Sequence, residues 1–340
     1  MNLSPHIPYP SCSLRLLRGL CLWLMLALAE STRAQDIHFS QIDVNPILFN
    51  PAYSGFFDGT GRFGLVYRNQ WASVTTPFQT MAATAEYAIK KRRYHRDGFS
   101  AGLWVYADQE GTLSYGTNAV NGILSYYRAL GAQNNCFISF GAEAGFGQSG
   151  FQMAGAEMID PSETIENNSA FFPTLGLGMA CFYQPSDIFY IKAGLSGRNL
   201  NRPNISYLGL HDAYINPKLN AYLRAEWRAW TDLALLPLMA LQTQRNYTEC
   251  VIGTDLKYYL SESGPHLTTF SAGLHYRLFD AIYMAFVVEY NAWLLSILYD
   301  ANISKLTPAS KSIGALELSL VYRLNRQQNI RRQAMPCPII

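Results

Sequence analysis

Over residues 219–228 the chain alternates without a break: Leu219, Ala221, Leu223, Ala225 and Trp227 share one phase, and Asn220, Tyr222, Arg224, Glu226 and Arg228 the other. A helix would scatter those charges around its circumference. A strand, whose successive side chains point to opposite faces, separates them completely. The pattern recurs in Ile138, Phe140, Ala142, Ala144 and Phe146 against Ser139, Gly141, Glu143 and Gly145, and again over 189–196, 269–278 and 316–324. Each opposite phase is polar or glycine. The runs are about ten residues long, the length a tilted strand needs to cross a bilayer.

Adding the weaker runs gives fourteen segments: 62–69, 78–89, 99–108, 116–130, 136–147, 173–183, 189–196, 218–228, 233–243, 249–260, 268–278, 282–290, 293–304 and 315–324. An even count returns both ends of the wall to one side, and strands in lipid must satisfy their backbone groups by closing on themselves. The fold expected is all-β, a transmembrane antiparallel β-barrel of about fourteen strands. A spanning helix would need roughly 20 uninterrupted apolar residues. The nearest candidate beyond the leader, residues 281–299, is interrupted by Glu289 and Asn291 and reads as two strands around a tight turn at Asn291. A soluble sandwich or propeller would also alternate, but ordinarily carries nearer a quarter charged residues. Here charged residues make up 15%, beside 22 Tyr, 18 Phe and 25 Gly, and no fixed-period repeat favours a propeller.

With the mature chain starting in the periplasm, odd-numbered connections face outward. These include the long stretches 148–172, 197–217 and 305–314, whereas the even-numbered 131–135, 184–188, 229–232 and 291–292 are short. Long outside and short inside is the asymmetry of outer-membrane barrels. Two connections break it, an outer one of only three residues at 279–281 and a longer periplasmic one at 90–98.

Residues 1–34 read as a secretory signal, with Arg15 and Arg18 in a basic region, an apolar core over 20–29, and Thr32-Arg33-Ala34 as the cleavage site. The expected division is signal peptide 1–34, N-terminal plug or latch 35–60, barrel 61–325 and periplasmic tail 326–340. Within 35–60, Asn45-Pro46 and Asn50-Pro51 exclude a long helix, because proline disfavours helix in its predecessor and donates no amide hydrogen. Phe39, Gln41, Phe49, Tyr53, Phe56 and Phe57 suit a peptide lodged against a semi-polar wall inside the barrel.

Little points to chemistry. Gly145-Phe-Gly147-Gln-Ser-Gly150 has dinucleotide-loop spacing, but no amphipathic helix follows to hold a pyrophosphate. A net charge of +2 gives no field for nucleic acid. The one dense charge run, Lys90, Lys91, Arg92 and Arg93 with Arg96 beyond, is either a solvated periplasmic turn or a contact for an acidic periplasmic partner or lipid phosphates. The six His show no ligand spacing, so neither metal nor cofactor is expected. No nucleophile elbow is present, and the charged residues of the inner phase (Glu86, Asp108, Glu143, Arg224, Glu226, Asp255, Lys257, Arg277, Asp300, Glu317) read as braces rather than catalysts. Cys181 and Cys250 fall on the lipid phase. Cys136 and Cys337 share the periplasmic side, where the redox poise permits a disulfide.

Three motifs near the start carry a resemblance: Gln35-Asp-x-x-Phe39-Ser40-Gln41, then Asn50-Pro51-Ala52-Tyr53-x-Gly55, then Arg68-x-Gln70-Trp71. Near the end stand Tyr299-Asp300-x-Asn302-x-Ser304 and Gly314-x-x-Glu317-x-Ser319, followed by Cys337-Pro338. The chain resembles the PorP/SprF family of outer-membrane proteins associated with type IX secretion and gliding in Bacteroidetes. The resemblance implies a non-enzymatic role in the outer membrane of a Gram-negative bacterium, in contact with lipid, with type IX components and with the C-terminal domain of a secreted adhesin. It also marks Asn50, Pro51, Ala52, Tyr53, Gly55, Arg68, Gln70, Trp71, Tyr299, Asp300, Asn302 and Glu317 as motif positions. The alternative is a passive porin or hydrophobic-substrate channel.

Overall fold

The computed structural model describes residues 37–70, 76–89, 97–111, 115–130, 135–151, 169–206, 213–261, 267–303 and 313–325. Fourteen strands follow in order: β1 (Gly61–Gln70), β2 (Phe78–Ala88), β3 (Asp97–Glu110), β4 (Tyr115–Leu130), β5 (Cys136–Gly150), β6 (Ser169–Ser186), β7 (Phe189–Arg198), β8 (Lys218–Trp227), β9 (Leu233–Gln244), β10 (Tyr247–Ser261), β11 (Thr268–Arg277), β12 (Ala281–Tyr290), β13 (Trp293–Asn302) and β14 (Ile313–Leu324). Each pairs antiparallel with its sequence neighbours, and the ring closes where β1 meets β14, from Gly61 opposite Leu324 to Gln70 opposite Ala315. Every segment expected from alternation is a strand here. Among the described residues no helix is long and apolar enough to cross a membrane.

Alternation decides which way each residue faces. In β8, Leu219, Leu223 and Trp227 are exposed on the outer skin while Asn220 and Tyr222 are buried inside. The outer face of β12 and β13 is apolar throughout (Ile282, Met284, Phe286, Val288, then Leu295 and Ile297), while Tyr283, Glu289, Ser296 and Asp300 point inward. Carbon outside and polar groups inside suit a wall between lipid and water. Ile297 lies mid-strand in β13 and faces outward. Ile297→Arg is expected to cost roughly 2–4 kcal/mol and Leu260→Arg, near the end of β10, roughly 0–1. Urea titrations of protein folded into liposomes measure both, and equal costs would contradict a lipid-facing skin.

Tight turns close hairpins at both ends. Asn291 and Ala292 join β12 to β13, with Asn291 at φ 53°, a left-handed conformation that Asn tolerates well. At the other end the outer turn between β11 and β12 is indeed short, and Phe279 sits there at φ 62° with its ring almost fully exposed. Strand lengths are uneven: β4, β5 and β6 have 16, 15 and 18 residues, against 10 each in β11, β12 and β13. Pairing of β6 with β7 stops at Leu177 opposite Gly197, so the start of β6 rises past its neighbour. Asn201 closes that edge: Leu175 N donates to its Oδ1 (3.1 Å), and its Nδ2 donates to Pro173 O (2.8 Å). A side-chain clamp and a proline there deny an incoming strand its partners. Cys136, Cys181 and Cys250 are unbridged. Cys337 lies outside the described residues, as do the leader and the tail.

Candidate functional site

The lumen is where the chain's polar residues meet, and residues 37–60 lie within it. Each Asn-Pro step opens a single 3-10 turn, Pro46–Leu48 and Pro51–Tyr53. Asn50 caps the second: Ala52 N donates to its Oδ1 (2.8 Å), while its Nδ2 donates to Met179 O (3.0 Å) and Leu195 O (3.1 Å), carbonyls of β6 and β7. A side chain reaches wall backbone only where the wall has no side chain of its own. A Cβ at Gly178 would stand 2.0 Å from Asn50 Oδ1, and one at Gly141 only 2.4 Å from the Pro51 and Ala52 backbone. Missing Cβ atoms on β5 and β6 therefore form a seat for Asn50-Pro51-Ala52. Gly55 ends the motif at φ 85°, pressed against Ser100, and donates its amide to Glu86 (3.3 Å).

Below that seat aromatic rings pack. Phe56 stacks on Phe182 with centroids 3.7 Å apart and meets Tyr127 and Phe137 at an angle, while Tyr53 is fully buried with its ring edge towards Phe182 and Tyr222. Above it the contacts are ionic. The Ser40 and Gln41 amides donate to the Glu317 carboxylate (3.0 and 3.1 Å), which pairs with Arg68 (3.1 Å). Arg277 donates to Ser40 Oγ (2.8 Å) and pairs with Asp300 (2.8 Å). Burial, then the neighbouring charges of Arg68, Arg277 and Lys218, hold the His38 imidazole well below its usual range and keep it neutral.

Asp43 anchors the middle. It accepts from Lys192 Nζ (2.5 Å), from Tyr222 Oη and from Arg224, and Arg224 also reaches Asp255 (2.7 Å). Burial alone would raise this carboxyl. Arg224, Lys192 and the donated hydrogen bonds overcome it and hold the group well below 3.8. A carboxyl depressed on folding lends stability that is complete above its unfolded value of 3.8 and fades only as pH falls towards the folded value. The segment is therefore expected to resist chymotrypsin equally at pH 7 and pH 5, with release only in stronger acid. Asp43→Asn removes the charge and leaves Lys192 buried opposite no anion, a loss of about 3 kcal/mol of docking. Chymotryptic cleavage of the segment reads this out, and unchanged protection would rule the anchor out.

Of the motif positions, Asn50, Pro51, Ala52, Tyr53 and Gly55 form the seated turn, and Arg68, Asp300 and Glu317 converge on its approach. Gln70 accepts from Arg68 (3.4 Å), and Asn302 is buried on the inner face. Tyr299 stands apart, facing outward. Trp71, Lys90, Lys91, Arg92 and Arg93 lie outside the described residues. Asp43, Lys192 and Arg198 were not singled out by the sequence. Lys192 and Arg198 sit on the inner phase of β7, and that phase is the one signal that could have found them. Arg198 donates to Ile47 O (2.8 Å) and pairs with Glu143 (3.2 Å). These groups are spent on one another, and no three His, Cys, Asp or Glu among the described residues could hold a metal. A cavity of about 80 Å³ remains beside Gln41–Val44, lined by Arg224, Leu236, His275 and Val287.

The profile of the type IX secretion system membrane protein PorP/SprF family matches residues 31–322. The chain belongs to that family. Among solved structures, the P. putida toluene transporter TodX is similar at 11% identity and a TM-score of 0.51, over 83% of this chain and 94% of that one. A Pseudomonas aeruginosa FadL homologue stands at 9%, with a TM-score of 0.48 over 82% and 94%. At such identities the TodX likeness speaks for the outer-membrane barrel fold alone. No curated protein matches. The family places the chain among type IX secretion membrane proteins, and of the motif residues Asn50 to Gly55 form the seated turn while Arg68, Asp300 and Glu317 meet at its approach.

Proposed function

We propose that this chain is a non-enzymatic outer-membrane holder in type IX secretion, keeping a large adhesin-type protein at the cell surface through that protein's C-terminal domain. The observation that carries the reading is a lumen occupied by the chain's own residues 37–60, anchored by Asp43, Asn50 and Glu317. An occupied bore suits a support better than a conduit. The cavity beside Gln41–Val44, about 80 Å³, is smaller than the roughly 150 Å³ that admits a benzene-sized guest, which weighs against this cavity as a resting site for hydrophobic substrates. Affinity purification of the tagged chain from outer membranes is expected to enrich one secreted adhesin-type protein, and deleting the gene to strip that protein from the surface. An unchanged surface complement, together with steady ion conduction by the purified wild-type barrel, would overturn the reading in favour of a porin.

A further inference from the structure

β13 and β14 slip out of register near the end of β13 opposite the tight turn Asn291–Ala292. Asp300 pairs with Ala315 but Ala301 with Ile313, which leaves Gly314 as the extra residue of a bulge. Bulges of this kind re-aim groups at the rims of barrels. A Cβ at Gly314 would stand 2.7 Å from the Asp300 carbonyl oxygen, 2.9 Å from Asn302 Oδ1 and 3.0 Å from Asp300 Oδ1. Three oxygens therefore crowd one gap that a glycine leaves open. Asp300 is almost fully buried, with Oδ2 paired to Arg277 (2.8 Å), and its Oδ1 meets no hydrogen-bond donor among the described residues. A buried carboxylate oxygen ordinarily finds one.

Charge points the same way. Arg277 pairs with Glu249, Asp280 and Asp300, and Arg68 with Asp300 and Glu317. Four carboxylates thus share two guanidiniums, and this linked cluster keeps a surplus of negative charge. We propose that the gap beside Gly314 binds a calcium ion, held by Asp300 through Oδ1 and its main-chain carbonyl and by Asn302 Oδ1, with water completing the shell. Mixed carboxylate, amide and carbonyl oxygens suit a hard cation of flexible coordination, whereas zinc prefers nitrogen and sulfur. Only Asp300 supplies a charged ligand, so the affinity expected is that of an extracellular module, about 10⁻⁴ to 10⁻³ M. Arg277 also donates to Ser40 Oγ (2.8 Å), so the ion braces the approach of the N-terminal segment as well as the seam between β13 and β14.

The full chain, purified in a non-ionic detergent and stripped with a chelator, is titrated with calcium at an ionic strength held constant by potassium chloride. Equilibrium dialysis against radioactive calcium is expected to find about one ion per chain, and the unfolding midpoint to rise by several degrees. Asn302→Asp adds a second carboxylate and should bind about tenfold tighter, while Asn302→Ala should bind at least about tenfold more weakly. No binding by the wild-type chain, or binding that neither variant alters, overturns the proposal. So does a midpoint that potassium chloride raises as much as calcium does. A failed partner purification would leave these readouts untouched, so this inference and the proposed function fall separately.

Discussion

Gly141→Val is expected to unseat the N-terminal segment while leaving the wall closed. The new Cβ would stand 2.4 Å from main-chain atoms of both Pro51 and Ala52. A flexible side chain could swing aside, but a proline-fixed backbone turn cannot, so the 3-10 turn must lift from β5 and carry the Asn50 hydrogen bonds with it. Overpacking of this kind costs about 2–3 kcal/mol, which corresponds to a roughly 30- to 150-fold larger lifted population. Chymotrypsin cutting at Phe49 and Tyr53 in isolated outer membranes reads that population directly. Gly122→Val is the matched control, because a Cβ there points outward and approaches nothing closer than 3.8 Å. Equal cleavage of the two variants would mean that the seat does not hold the segment.

Deleting residues 37–57 has a larger consequence, conversion of a silent barrel into an open pore. The wall begins only at Gly61, and its closing pairs with β14 do not involve the segment. Lys192, Arg224, Arg198 and Glu317 would lose partners, yet water would fill the vacated bore and solvate them. Barrels of eight strands are filled by their own side chains, whereas those of sixteen or more leave an aqueous channel, so fourteen strands emptied of a segment should conduct. In planar bilayers the deletion variant is expected to give stepwise currents and the wild type none. Removing the buried Tyr53, Phe56 and Ile47 also costs several kcal/mol of packing and should lower the unfolding midpoint. Wild-type currents equal to those of the variant would dismiss the segment as a seal.

The wall was legible because a period of two is written locally. The turn at Asn291 and all fourteen strands follow from it, and β8 is the clearest instance. Boundaries drifted where the alternation lapsed: β5 runs on through Gly147 to Gly150 and β6 begins at Ser169, since glycines and flanking polar residues blur the two phases. In the sequence the inner-phase glycines simply share a phase with polar residues. Gly141 and Gly178 turn out to be the surface that receives Asn50 and Pro51, a role visible only once β5, β6 and the segment are side by side. Asp43 was silent for a related reason. It sits in an irregular turn without periodicity, and its partners Lys192 and Arg224 are 149 and 181 positions away. Contacts of that span are set by ring closure, which no local pattern encodes.

The surplus length in β4, β5 and β6 gives the barrel a parapet. About ten residues cross a bilayer, so the five to eight extra residues at about 3.3 Å each add roughly 15–25 Å of wall before tilt. On the far side, β11 has only 10 residues before the turn at Phe279. A bulky cargo resting on this mouth would have a backstop behind it and open ground ahead. Sideways drag along the cell surface would then load the barrel unequally, pressing cargo against a braced sheet in one direction and peeling it away in the other.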